Sequence, residues 1–376
     1  MNHKSKPSHQ DQNELSNSQT IEGQSGEVRS RRGFFKNIAA VTGVSASALT
    51  VSSGAAALSF VASPAQAASK IPVVASEHWA VKKVGNEDIK LFILNKKLKS
   101  NKQIPKMGTI LFVHGSSMAG SPVFDLQVPG KPEYSTMDYF AKLGYDTWCL
   151  DHEGYGRSSK SRDISYDIST GADDLEAVSR YISEKTGENK LMLYGVSSGA
   201  LRSALFAERF PERVSRIILD AFVWTGEGSP TLANRRKKID EWKSSNRRPL
   251  DHAMVQSIFT RDHPGTADQD VIDAFANAIL KLDSSLPTGT YIDMSINLPV
   301  CTPEKLTVPT MILRGEFDGI AAFDDVIKYF TKLPNPDKRI VVMPGIAHAS
   351  LQEKNFKIVL HAMENFFSQP PAIYKG

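Results

Sequence analysis

Lys190-Leu191-Met192-Leu193-Tyr194-Gly195-Val196-Ser197-Ser198-Gly199, with the small-residue run that follows it to Arg209, decides how this chain folds. An apolar stretch of strand length ends at Tyr194, turns sharply between two glycines, and gives way to a helical pattern from Ser198 to Arg209. Glycines on both sides let neighbouring backbone pass close to such a turn. A serine hydroxyl is a poor nucleophile unless it is held away from its own backbone beside a base. A serine at a strand-to-helix turn meets that requirement, and its position between the two elements gives an otherwise common Gly- and Ser-rich pattern its meaning.

The same alternation extends in both directions. Upstream, Val81 to Val84 and Ile89 to Leu94 read as a hairpin around Gly85-Asn86, and Thr109 to Val113 is an apolar strand ending at His114-Gly115. A helix from about Ser135 to Lys142 leads into the strand Tyr145 to Leu150, and a helix from about Thr170 to Glu184 leads into the turn strand. Downstream come the strand Arg216 to Leu219, then Thr310 to Leu313, a helix from about Ala322 to Thr331, the strand Arg339 to Met343 and a closing helix from Asn355 to Phe367. Strands that are apolar throughout and separated by helices predict an α/β fold, a mostly parallel eight-stranded sheet covered by helices on both faces. The stretch from Trp224 to Pro303 breaks the rhythm, is helical and polar in tone, and reads as an inserted helical cap without strands. The expected organisation is a leader at 1–67, a core in two pieces at 68–222 and 306–376, and the cap at 223–305.

A tetrahedral intermediate needs two preorganised N–H donors for its oxyanion. The amide of Ser198 supplies one, and the loop after Val113 supplies the other at Ser116. The base and its orienting acid belong in loops after later strands. Of nine histidines, His348 in Pro344-Gly345-Ile346-Ala347-His348-Ala349 follows the last strand in a loop, which selects it as the base. Asp318, just past Leu313, is the expected acid; Asp220, after Leu219, is the runner-up, and Glu316 a weaker third.

With His114-Gly115, the run Asp151-His152-Glu153-Gly154-Tyr155-Gly156-Arg157-Ser158, Ser197, Asp318 and His348 standing in that order, the chain beyond the leader resembles the α/β-hydrolase family over nearly its whole length. The resemblance implies a capped, esterase-like serine hydrolase, with the cap where relatives carry lids. It argues against epoxide hydrolases and haloalkane dehalogenases, which carry Asp at the turn where this chain has Ser197. Two-step acyl transfer on a carboxylic ester, with amide and lactone as variants, is the expected activity. Carbon–carbon bond hydrolysis, cofactor-free acyl transfer or perhydrolysis would use the same residues, and a non-catalytic binding protein is the remaining alternative.

Trp224, Trp242, Phe259 and Tyr291 of the cap are candidates for an apolar acyl or aryl pocket, the alternative being that they hold the cap to the sheet. Arg235-Arg236-Lys237-Lys238 reads as a solvated helix face, with attraction of anionic substrates the alternative. No metal-ligand spacing or phosphate-cradling glycine pattern is present, and the expected chemistry needs no cofactor.

Composition sets the outer bounds. The chain has 376 residues, 41% apolar and 23% charged, with only 2 Cys, which excludes a mainly disordered or disulfide-stapled protein. Residues 1–28 are polar; then Ser30-Arg31-Arg32-Gly33-Phe34-Phe35-Lys36, an apolar run from Ile38 to Val61 and Ala65-Gln66-Ala67 follow as basic region, apolar region and small-residue cleavage site. The paired arginines and two aromatics resemble a twin-arginine export signal, with an uncleaved membrane anchor the alternative. Export would place the mature chain, from about Ala68, in the periplasm or outside the cell, touching membrane only through the export machinery. The leader takes 6 basic and 4 acidic side chains from totals of 45 and 41, so the net charge of +4 falls by half to +2. No electrostatic footprint for nucleic acid is present; the expected partner is a small ester-type molecule. Cys149 and Cys301 sit in dissimilar contexts and are expected to be two separate, buried thiols.

Overall fold

The computed structural model describes residues 71–99 and 106–374, so the leader read from residues 1–67 lies outside the described residues. β1 (Val73–Val84) and β2 (Glu87–Leu98) form an antiparallel hairpin whose turn is Gly85-Asn86, with Gly85 at φ +57°. Both strands run to 12 residues, longer than their apolar centres predict. β1 is an edge strand with mostly exposed side chains, so backbone pairing to β2 carries it past the point where hydrophobic patterning stops.

β3 (Thr109–Val113), β4 (Asp146–Leu150), β5 (Leu191–Val196) and β6 (Val214–Asp220) follow, then β7 (Arg247–Pro249) and β8 (Ser285–Pro287) outside the main sheet, then β9 (Thr310–Gly315) and β10 (Lys338–Met343). The main sheet has the order β1-β2-β4-β3-β5-β6-β9-β10; β2 pairs antiparallel with β1 and β4, and every other pair is parallel. This is the expected eight-stranded, mostly parallel sheet.

Alternate residues of each central strand feed opposite faces. Ile110 and Phe112 of β3 join one apolar cluster while Leu111 and Val113 join the other; Ile218 of β6 goes with the first, Ile217 and Leu219 with the second. The first face is closed by helices Thr136–Lys142 and Phe356–Phe367 through Phe140, Leu360, Met363 and Phe366. The second is closed by Ile168–Thr186, Ser198–Arg209 and Phe323–Lys332 through Leu175, Val178, Leu201, Phe206 and Val326. Full burial of side chains of this kind contributes about 1.5–3 kcal/mol each. The helix Ile168–Thr186 starts where Asp167 accepts a hydrogen bond from the Thr170 amide and stops at Gly187, φ +76°.

Between β6 and β9 lie the short helices Pro230–Arg236, Ile239–Lys243, His252–Thr260, Gln269–Leu280 and Gly289–Ile292. The expectation of a strand-free cap is corrected by β7 and β8, which pair antiparallel with Arg247 opposite Pro287. Three residues per strand are too few to leave an alternating pattern in sequence. Arg247 ties this ribbon to the core by donating from Nη1 to the Gly154 carbonyl at 3.1 Å. Cys149 and Cys301 are both buried free thiols. Among the described residues no helix is long and apolar enough to cross a membrane.

Candidate active site

β5 lies between β3 and β6, and its carboxyl end delivers Ser197 to the middle of the sheet edge. Ser197 stands at φ 57°, ψ −123°, a region that costs a non-glycine residue about 1–3 kcal/mol. The surrounding backbone holds it there: its amide donates to the Asp220 carbonyl at 2.8 Å. The flanking glycines are required by proximity. A Cβ on Gly195 would stand 2.5 Å from the Gly199 carbonyl oxygen, and one on Gly199 would stand 2.3 Å from that of Val113.

His348 arrives from the loop after β10. Glu353 fixes that loop on both sides of the histidine, accepting the Ala347 amide at 2.6 Å and the Ala349 amide at 3.0 Å. His348 Nε2 lies 3.1 Å from Ser197 Oγ, and Nδ1 lies 3.0 Å from each carboxylate oxygen of Asp318. A carboxylate can only accept, so Nδ1 carries the proton and Nε2 is free to accept from the serine.

The two candidate acids separate clearly. Asp318, after β9, accepts the Ile320 and Ala321 amides at 2.8 and 3.2 Å as well as His348. Burial alone would raise its pKa, but the facing His348 and these donors outweigh burial and hold the carboxyl below its ordinary value. Asp220, the last residue of β6, accepts the hydroxyls of Tyr194 and Ser350, and burial pushes its pKa up to about 6. Glu316, the third option, is exposed and accepts the Gly345 amide at 2.8 Å, a loop staple.

Ser116 and Ser198 are buried next to Ser197, the latter as the first residue of its helix. Gly115 passes so close that an added Cβ would stand 3.3 Å from the Ser197 Cβ. The Ser116 carbonyl accepts from Arg248 Nη2 at 3.2 Å and from the Tyr155 hydroxyl at 3.3 Å, which fixes the loop opposite the turn. Tyr155, from the loop after β4, is therefore a support for the Ser116 loop.

Above Ser197 lies a narrow cavity, lined on its apolar side by Met118, Val123, Val196, Ile258, Phe275 and Leu351. The four aromatic pocket candidates divide. Trp242 and Tyr291 line an outer cleft in the cap that shares Arg235, Ile258 and Arg261 with the cavity. Phe259 is buried against Phe275, and Trp224 donates Nε1 to the Cys301 carbonyl while packing on Tyr329, so these two hold structure together. Sequence reasoning missed Ile258 and Phe275, Glu353 and Arg261, and it weighed Arg235 only as part of a basic run read first as a solvated face. Asp262, on the cap, brings a carboxylate oxygen within 4.8 Å of donor atoms of Asp318 and His348, while pairing with Arg261 at 3.1 Å and accepting from Thr231 at 2.9 Å.

A family model described as "Serine aminopeptidase, S33" matches residues 133–355, a span that runs from just before the helix Thr136–Lys142 through Ser197 and the cap to past His348. The chain belongs to this family of α/β-hydrolases. Its relatives include a monoacylglycerol lipase of Mycolicibacterium smegmatis, 23% identical over 226 residues, which make up 59% of this chain and 77% of the lipase. Among solved structures, an esterase from Thermogutta terrifontis matches with TM-score 0.55 at 18% identity, covering 77% of this chain and 97% of the esterase. An esterase from Exiguobacterium antarcticum matches with TM-score 0.56 at 17% identity, covering 78% and 100%. Membership in the serine aminopeptidase family makes the protein a hydrolase, and at these identities the structural neighbours speak to the fold.

Proposed function

We propose that the protein is an exported serine hydrolase that cleaves carboxylic esters of small organic molecules through an acyl-enzyme on Ser197. The observation that carries this reading is the continuous chain from Ser197 Oγ through His348 Nε2 and Nδ1 to Asp318, at 3.1 and 3.0 Å, opening on an apolar cavity. Ser197 Oγ attacks the ester carbonyl as its proton passes to His348 Nε2. The oxyanion is held by the amides of Ser116 and Ser198, and the imidazolium is stabilised by Asp318. His348 returns the proton to the departing alkoxide, which leaves as the alcohol. A water then attacks the acyl carbonyl and gives its proton to His348, which passes it to Ser197 Oγ as the acid is released.

The monoacylglycerol lipase relative supports ester cleavage; the carbon–carbon and perhydrolase alternatives use the same residues. A screen of esters, amides and lactones of varied acyl length tests the reaction type. Turnover of esters that is abolished by Ser197→Ala is expected, whereas undiminished turnover in that variant would overturn the assignment. Export rests on the paired arginines Arg31 and Arg32 and the exit Ala65-Gln66-Ala67. Terminal sequencing of the protein recovered from its native cell should find a start near Ala68; an intact Met1 form that stays in the cytoplasm would contradict export.

A further inference from the structure

The cavity over Ser197 is apolar on one side, yet two arginines stand on its wall and no acidic residue does. Arg261 is already committed to Asp262, with contacts of 3.1 and 3.2 Å. Arg235 is different: among the described residues its side chain has neither a hydrogen-bond acceptor nor a carboxylate partner, while Arg236 beside it donates to the Ser295 carbonyl at 2.7 Å. The basic run Arg235 to Lys238 is therefore not uniformly a solvated face, because its first member turns into the cavity.

Arg235 stands among two further arginines, Arg248 and Arg261, opposed by Tyr291 and Asp262. Its guanidinium carbon lies 4.0 Å from the centroid of the Tyr291 ring, and that of Arg248 also lies 4.0 Å from it. Arg248 spends its hydrogen bonds on the Ser116 carbonyl and the Ser117 hydroxyl. Tyr291 registers the resulting field. Burial alone would raise its phenol, but Arg235 and Arg248 outweigh burial and bring it down to about 7. Arg235 is partly accessible along the cavity, yet protein crowds its guanidinium; that desolvation, with the nearby arginines, lowers its pKa to about 10, and it stays charged at neutral pH. A crowded charge with no hydrogen-bond acceptor or direct carboxylate contact of its own is costly to keep even beside Tyr291, and an anion brought by a ligand would reduce that cost.

Resting on the serine-hydrolase reading, we infer that the substrate is an anionic ester: it carries a carboxylate that Arg235 binds inside the cavity that opens on Ser197. Arg248 and Tyr291 hold Arg235 in position, and Arg261 with Asp262 closes the wall beside it. The apolar residues Met118, Val123 and Leu351 then face the uncharged remainder of the molecule. Two substrate layouts satisfy this arrangement, a hemiester with its carboxylate on the acyl side and an acylated hydroxy acid with its carboxylate on the alcohol side.

The experiment compares kcat/KM at neutral pH by proton release for two matched pairs. Monoethyl glutarate is set against ethyl glutaramate, and the acetate ester of hydroxypropanoate against that of its amide. The carboxylate is expected to raise kcat/KM in one pair by about 10- to 100-fold, the range of a charge-assisted hydrogen bond, and the pair that responds identifies the side. In Arg235→Gln the ratio should fall toward unity, and in Arg235→Lys part of it should return. Labelling of Ser197 by a serine-directed phosphonate certifies that each variant is folded. Should Arg235→Gln fail that check, competitive inhibition of the wild type by glutarate and its indifference to glutaramide carry the same reading. Equal or better turnover of the neutral esters in both pairs, or a preference that survives in labelled Arg235→Gln, would overturn the inference while leaving ester hydrolysis intact. Absence of any turnover together with an unlabelled Ser197 would instead remove the ester reading on which it rests.

Discussion

Two histidine–aspartate pairs lie buried in this molecule with the same 3.0 Å contact, His348 with Asp318 and His152 with Asp174. Everything beyond that contact differs. His152 belongs to the loop after β4, where Asp174 also accepts from Lys82 at 2.5 Å and from the Glu153 amide at 3.0 Å. Lys82 bridges on to Glu153 at 2.8 Å, and Glu153 takes both Nε and Nη2 of Arg162 at 2.7 Å. The far nitrogen of His152 meets no partner, and burial, aided by Arg202 and Lys82, keeps the ring neutral, far below the usual imidazole range. His348 instead has a hydroxyl on its far nitrogen and a cavity beside it. A histidine–carboxylate pair is thus a brace in one place and, in the other, stands where it can take a proton from Ser197. The difference is made by Ser197, held at φ 57° on a turn that the neighbouring glycines permit.

The largest effect that separates the two is loss of the hydroxyl. Ser197→Ala should lower kcat by about 10⁶-fold, leaving the residual rate that binding and the oxyanion amides supply. Asp318→Asn should follow with a loss of about 10⁴-fold, because the amide favours the wrong tautomer of His348. Asp174→Asn is the matched change in the brace; it should destabilise the fold by about 3–5 kcal/mol through Lys82 while folded molecules keep turning over. Denaturant unfolding and steady-state kinetics on both variants check this crossing of effects. If Asp174→Asn cost activity at full stability, the division would collapse.

A smaller effect distinguishes Asp318 from Asp220. The Asp318 carboxyl is held below its ordinary 3.8, so it contributes stability above that pH that is lost as the pH falls through its lowered value. Asp220 has the opposite sign: raised to about 6, it contributes stability below pH 3.8 that is lost as the pH rises through about 6. The unfolding free energy of Asp220→Asn relative to wild type should therefore shift in the variant's favour by on the order of 3 kcal/mol between acid and neutral pH. Kinetically this variant should lose far less than Asp318→Asn, and a reversal would move the acid role to Asp220. The smallest effect is at Gly115, where an added Cβ would stand 3.2 Å from the Val196 carbonyl oxygen and 3.3 Å from the Ser197 Cβ. Gly115→Ala should reduce kcat by up to about 10²-fold through a slight displacement, with little change in KM.

The sheet and the turn were legible in sequence because each rests on a local pattern: continuous apolar runs for β3 to β6, and Gly-Val-Ser-Ser-Gly at 195–199 for the turn. His348 was legible because few histidines stand in a loop after a strand. The choice between Asp318 and Asp220 was not, since both stand at the carboxyl ends of parallel strands, Asp220 closing β6 and Asp318 in the loop after β9, and only side-chain direction decides which one meets the histidine. The cap was the least legible region. Its helix Pro230–Arg236 spans 7 residues, barely two turns, so no periodicity could reveal that Arg235 faces the cavity while its basic neighbours face water. Glu353, which grips the loop on both sides of His348, belongs to no motif at all.

The central claim is that Ser197, driven by His348 and Asp318, is the residue that becomes acylated. Intact-mass measurement after treatment with a serine-directed phosphonate tests it most directly. One adduct per chain, mapped to Ser197, missing in Ser197→Ala and strongly slowed in Asp318→Asn, is the predicted result. An adduct that persists in Ser197→Ala, or a folded wild-type chain that takes no label, would contradict the account.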